Sequence, residues 1–151
     1  MTAAPPVHPV DVFLVLHDGP SLLLALRQNT GYHDGRWNLP SGKLEHGEDA
    51  VSGMIREARE ELGIRLPPSA LRLVTTVHHR AAIDHGRIGL VFAAASDPSS
   101  QGSPVNAEPQ KCGGIDWFPA GALPAPMSSY SADCIEAYRS GSTFTLSGWA
   151  I

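Results

Sequence analysis

Three glutamates, Glu57, Glu60 and Glu61, are spaced three and four residues apart. On a helix, residues at such spacings share one face. Carboxylates gathered there repel each other, and a fold has little reason to build the cluster unless it holds a cation. The chemistry this points to is metal-assisted. A hard divalent ion takes oxygen ligands, polarises a substrate oxygen and lowers the pKa of a coordinated water. The competing reading is a solvated helix face on which Arg56 and Arg59 serve as ion-pair partners.

Such a cluster needs a helix, and Asp49 to Leu62 has the pattern of one. Val51, Met54, Ile55, Ala58 and Leu62 recur at helical spacing and predict its buried face. Gly63 is a natural C-terminal stop, and Pro67-Pro68 follow as breakers. Val10 to His17 and Ser21 to Arg27 read as a strand pair around Asp18-Gly19-Pro20. Gln28 to Arg36 reads as a loop, and Trp37 to Ser41 leads into the carboxylate segment. Leu71 to His79, Gly86 to Ala95 and Gly114 to Phe118 read as strands, with a Ser-, Pro- and Gly-rich loop from Asp97 to Asn106. Ser129 to Arg139 reads as a second helix, followed by a tail containing Phe144, Leu146 and Trp149. The order predicts an α/β (α+β) domain in which a mixed sheet is sandwiched between helices.

With 151 residues, the chain is expected to form one domain over 10–151 behind a proline-rich lead-in at 1–9. The net charge of −4 provides no global basic field, so polymeric nucleic acid is not an expected partner. Cys112 and Cys134 lie apart without a metal-binding spacing and are expected to be reduced thiols. The N-terminus lacks the basic and apolar stretches of a signal peptide, and no apolar run is long enough to span a bilayer. No membrane partner is expected, and the expected location is cytoplasmic. The sequence does not indicate an oligomeric state.

The segment from Gly42 to Ile64 resembles the Nudix box. Gly42 is followed by five residues and Glu48, then by seven residues and Arg56-Glu57. Ala58, Arg59, Glu60-Glu61, Leu62, Gly63 and Ile64 complete the pattern. Arg36-Trp37-Asn38-Leu39-Pro40-Ser41 looks like the usual lead-in, with Ser41 standing where the family often has Gly. The resemblance implies the Nudix fold and Mg²⁺- or Mn²⁺-dependent hydrolysis of a nucleoside diphosphate linked to a further moiety, X. It makes Glu57, Glu60, Glu61 and the Gly42 carbonyl metal ligands. Arg56 would hold the carboxylates in place, with Glu48 and Gly63 in structural roles. Glu57 or an acid from a later loop would be the general base. Glu108 is the candidate for that loop acid, with Asp84 and Asp116 as alternatives. An ordinary exposed turn residue is the other reading of Glu108.

Substrate contacts are sought outside the box. An Asn in a similar Arg-Trp-Asn setting contacts the base in relatives that clean oxidised purine nucleotides, so Asn38 is a candidate. It could equally be a loop Asn bonded to its own backbone. Arg27 is a candidate phosphate contact or a surface charge. His78 and His79 should face opposite ways on a strand, which disfavours a paired metal site and suggests solvent-facing or edge positions. Tyr32, Trp37, Phe92 and Trp117 are expected in packing. The markers of the NADH, dinucleoside polyphosphate, ADP-ribose and coenzyme A branches are not matched. By elimination, the expected substrate is a small nucleotide, a (deoxy)nucleoside triphosphate cleaved to monophosphate and pyrophosphate, including an 8-oxo-dGTP-like one. Two alternatives remain: hydrolysis of a nucleotide sugar, ADP-ribose or another diphosphate, and a non-catalytic nucleotide-sensing module.

Overall fold

The computed structural model describes residues 3–81 and 86–149. Its centre is β1, Val10–Asp18, a strand buried on both faces. Val12, Leu14 and Leu16 join one core cluster, while Phe13 and Val15 join the other. This is the period-two alternation of a strand sandwiched between layers. The first cluster packs against α1, Ala50–Leu62, through Met54, Ala58 and Leu62. The second packs against α3, Ser129–Ser140, through Tyr130, Cys134 and Ile135. The expected mixed sheet between helices is therefore present.

The remaining strands are β2 (Ser21–Arg27), β3 (Trp37–Asn38), β4 (Ser41–Lys43), β5 (Arg72–His79), β6 (Arg87–Ala95), β7 (Cys112–Pro119) and β8 (Phe144–Ser147). The main path runs β3-β2-β1-β6-β5-β8, with β4 on β1 and β7 on β2. β1–β6 and β5–β8 are parallel, and the other pairs are antiparallel. The β1–β2 hairpin pairs only at His17–Leu22 and Asp18–Ser21. Beyond those residues the strands part. The segment from β3 to β4 fills the opening, and the Leu14 amide bonds the Pro40 carbonyl at 2.9 Å.

α1 begins and ends as its sequence requires. The Asp49 carboxylate accepts from the Ser52 amide at 2.9 Å, capping an otherwise unsatisfied donor. Gly63 closes the helix at φ +67° and donates to the Arg59 carbonyl. The buried stripe differs from the expected one. Val51 and Ile55 are only partly buried, while Gly53 is fully so. A Cβ on Gly53 would collide with Leu44 and Glu48, so close approach of the box loop depends on this glycine.

Two further elements and one residue depart from the sequence reading. The tail contains β8, which pairs in parallel with β5 from Thr76–Phe144 to His79–Ser147. The expected loop at 97–106 contains a short helix, α2, Pro98–Gln101. His79 is 4% exposed rather than solvent-facing; its Nδ1 lies 2.8 Å from Ser147 Oγ and its ring stacks on Tyr130. The late β8 strand and α3 together cover it, and neither is adjacent to His79 in sequence. Cys112 and Cys134 are free thiols. Among the described residues, no helix is long and apolar enough to cross a membrane.

Candidate active site

The glutamates of α1 have unequal surroundings. Glu57 and Glu61, four residues apart, are turned inward; the side chain of Glu57 is 13% exposed, whereas that of Glu60 is 52% exposed. Glu61 accepts from the Ser41 amide at 3.2 Å. Burial, and next the adjacent Glu57 carboxylate, push the Glu61 pKa well above the usual range. Burial also raises the Glu57 pKa, while Arg56 pulls it down. Two half-buried carboxyls on successive turns repel each other unless they share a proton or a cation lies between them.

Arg56 organises the box. Its Nε and Nη2 form a fork on Glu48 at 2.7 and 2.9 Å. Its Nη1 reaches Glu57 at 2.7 Å and Glu60 at 3.2 Å, and Nη2 also bonds the Lys43 carbonyl at 3.1 Å. The paired guanidinium holds the Glu48 carboxyl below its ordinary pKa. Glu48 is thus a brace, and its second oxygen accepts from the Glu45 amide at 3.2 Å. Gly42 lies directly beside Glu57, where any Cβ would strike the carboxylate.

The later loop is tied to the same place. The amides of Val105 and Ala107 bond the carbonyls of Leu62 and Glu61 at 2.9 and 3.0 Å. Asn106 Nδ2 donates to the Cys112 carbonyl at 2.8 Å, and the Lys111 and Cys112 amides both bond the Glu108 carbonyl at 2.9 Å. Glu108 is thereby held near enough to raise the pKa of both Glu57 and Glu61 by its charge. Asp116 is exposed on β7 and does not line this site, and Asp84 lies outside the described residues.

These groups border one open cavity of about 910 Å³. Gly42, Arg56, Glu57, Glu60, Glu61 and Glu108 line it, as do Arg27 and Asn38. Glu48 and Gly63 do not line it: Glu48 bonds Arg56, and Gly63 closes the helix. Arg27 donates from Nε to the Tyr32 carbonyl at 2.9 Å, and its guanidinium carbon sits 5.7 Å from the Tyr32 ring centre. Tyr32 borders the cavity and is 45% exposed, unlike the other aromatics expected in packing. Asn38 is 7% exposed. Asp11, Lys43, Arg87, Lys111 and Tyr130 also line the cavity and did not stand out from the sequence. Asp11 carried one signal: it is the single charge in the apolar run Val10 to Leu16.

The donor set suits a hard cation: carboxylates and a backbone carbonyl, with no thiol or imidazole. The two inward carboxyls lack full neutralisation, which fits such an ion. Among the described residues, however, no three His, Cys, Asp or Glu groups close around a common point. Arg56 Nη1 instead bonds both Glu57 and Glu60.

A family model described as NUDIX domain matches residues 7–138. The chain is 31% identical over 96 residues to "8-oxo-dGDP phosphatase NUDT18" of Mus musculus, covering 64% of this chain and 28% of that protein. It is 37% identical over 89 residues to a "MutT-like protein" of Streptomyces ambofaciens, covering 59% and 53% respectively. It therefore spans about half or less of these relatives. The fold is similar to that of a MutT NUDIX hydrolase from Burkholderia pseudomallei, at TM-score 0.77 and 26% identity, over 87% of this chain and 98% of that one. The NUDIX domain of Shewanella oneidensis NrtR, solved with ADP ribose, shares the fold at TM-score 0.66 and 21% identity, over 89% and 88% of the chains. Since the family match takes in nearly all of the sheet together with both long helices, the chain belongs to the Nudix family.

Proposed function

We propose that this protein is a divalent-metal-dependent pyrophosphohydrolase acting on a nucleoside diphosphate linked to X, foremost a (deoxy)nucleoside triphosphate cleaved to monophosphate and pyrophosphate. An oxidised purine triphosphate falls within that class. The observation that carries the reading is that Glu57, Glu61 and Glu108 line one cavity beside Gly42, with Glu57 and Glu108 near enough for their charges to act on Glu61. The name of the mouse relative supports an oxidised purine nucleotide, there a diphosphate, and the NudI relatives of Salmonella are named nucleoside triphosphatases.

In this reading Glu57, Glu60, Glu61 and the Gly42 carbonyl hold Mg²⁺ or Mn²⁺. When bound, the ion neutralises phosphate charge and makes water a better nucleophile. Arg56 sets the position of Glu57 through a contact of 2.7 Å, while its fork on Glu48 fixes the guanidinium. Glu108, or Glu57, accepts the proton of the attacking water. Lys43, Lys111 and Arg27 line the same cavity and meet the phosphates with positive charge. Asn38 meets the base: its amide bonds no described residue, yet it is buried against the cavity.

A panel of triphosphates, nucleotide sugars and dinucleotides with Mg²⁺, scored by kcat/KM, tests the substrate class. Glu57→Gln should abolish most turnover at unchanged Tm. Undiminished turnover in that variant would remove the catalytic assignment.

A further inference from the structure

The cavity has a second buried polar element, which the hydrolytic chemistry does not use. Asp11, on β1, is 7% exposed and lines the cavity. Arg87, on β6, forks onto it, with Nε to Oδ2 and Nη2 to Oδ1 both at 2.8 Å. The Tyr130 hydroxyl donates to Oδ2 at 3.0 Å. Tyr130 is held in turn by His79, whose ring stacks on it at 3.9 Å between centres. A buried ion pair in an otherwise apolar strand is a poor way to gain stability, because apolar side chains often serve as well. The carboxylate therefore calls for another use. It can accept about four hydrogen bonds and receives three from the described residues, one of them on Oδ1. Arg87 and Tyr130 fix its orientation, so little rotamer entropy is lost when a ligand reaches it.

We infer that Asp11 is a specificity-determining residue of the cavity, accepting a hydrogen bond from an N–H on the edge of a heterocyclic base. Arg87 and Tyr130 are positioning residues that act through it. The inference rests on the proposed function in that a nucleotide occupies the cavity. A carboxylate offers only acceptors to a neutral base. It favours the guanine edge, where a ring N–H sits beside an exocyclic amine, over adenine, whose exocyclic amine lies between two bare ring nitrogens that a carboxylate repels. The selected class is thus guanine-like bases over adenine-like ones.

The test compares wild type, Asp11→Asn and Tyr130→Phe for kcat/KM on guanine and adenine nucleoside triphosphates with Mg²⁺. Wild type should prefer the guanine nucleotide. Asp11→Asn should cut that preference about tenfold or more, chiefly through KM, as expected for losing a hydrogen bond to a charged acceptor. Tyr130→Phe keeps the Arg87 fork and should lower the preference less, in the same direction; it carries the test if Asp11→Asn does not fold. An adenine preference in wild type, or a guanine preference untouched in both variants, would overturn the inference. If wild type hydrolyses neither nucleotide, the reading of ordinary purine triphosphates as substrates fails separately. Calorimetry with the guanine and adenine monophosphates then decides: a guanine preference that Asp11→Asn weakens sustains the role of Asp11, and equal binding or no binding overturns it.

Discussion

The Glu57 carboxylate occupies the space that a side chain on residue 42 would need. The box glycine and the box glutamate, fifteen positions apart, are thus a packing pair. Gly42 is required for what it lacks, since its φ is not in the left-handed region and backbone freedom is not at issue.

Gly42→Ala should therefore injure activity more than folding. The clash is with the far end of a flexible side chain, which can swing away. We expect a loss of about 10–100-fold in kcat/KM, the scale for disturbing the support of a metal site. Tm should change little by comparison. Equal activity in the variant and wild type would show that Glu57 need not lie where it does.

Arg56→Gln removes the fork on Glu48 and the contact that orients Glu57. The expected outcome is a lower Tm together with a kcat loss of about 10–100-fold. Arg59→Gln, at an exposed position one turn from the helix end, is the control and should alter neither appreciably. If the two variants behaved alike, the Arg56 network would be an ordinary surface ion pair.

Mg²⁺ should raise the Tm of the wild type, because a ligand that binds only the folded state stabilises it by mass action. The cation relieves the repulsion between Glu57 and Glu61. Glu61→Gln should diminish the Mg²⁺-dependent rise while folding in metal-free buffer. A Tm indifferent to millimolar Mg²⁺ but sensitive to monovalent salt would point to general screening instead.

Acid should destabilise the fold through His79. Burial lowers its pKa; Asp133 and Asp11 oppose this, and Arg87 and His33 add to it. A histidine with a lowered folded pKa is neutral in the native state, so the unfolded chain binds the proton first. Its share of stability is full above the unfolded value of about 6.5 and is lost as pH falls from there through the folded value. Tm should drop between about pH 7 and 5, and His79→Gln should flatten that slope. An unchanged slope in the variant would assign the acid sensitivity to other groups.

Met54→Ala probes the core beneath the site. Met54 is fully buried in the cluster that joins α1 to β1. The cavity left behind should cost about 2–5 kcal/mol by chemical denaturation. KM measured well below the variant's Tm should remain near wild type, as Met54 itself does not line the cavity.

Much of α1 was legible in the sequence because its determinants are local. Cap residue, apolar period and terminal glycine all lie within one short segment, and their physics acts over a turn or two. The same holds for the box, whose Arg56, Glu48 and Glu57 meet across one loop and one helix. β8 is not legible in the sequence because four residues with exposed Phe144 and Leu146 carry little periodic signal. It is a strand because the β5 edge offers it a parallel partner. The burial of His79 is equally non-local, since it depends on Ser147 and Tyr130.

The sequence by itself determined the family-like box, the helix that carries it and the kind of chemistry three glutamates can support. Only the tertiary structure decided that Glu57 and Glu61 turn inward while Glu60 stays exposed, and that backbone bonds from Val105 and Ala107 bring Glu108 beside them. Only the fold placed Asp11, Arg87 and Tyr130, from β1, β6 and α3, on the wall of the same cavity. The physical reason is range: caps and helical faces follow from neighbours in the chain, whereas burial, and the charge interactions it strengthens, depend on segments that meet only when the sheet closes.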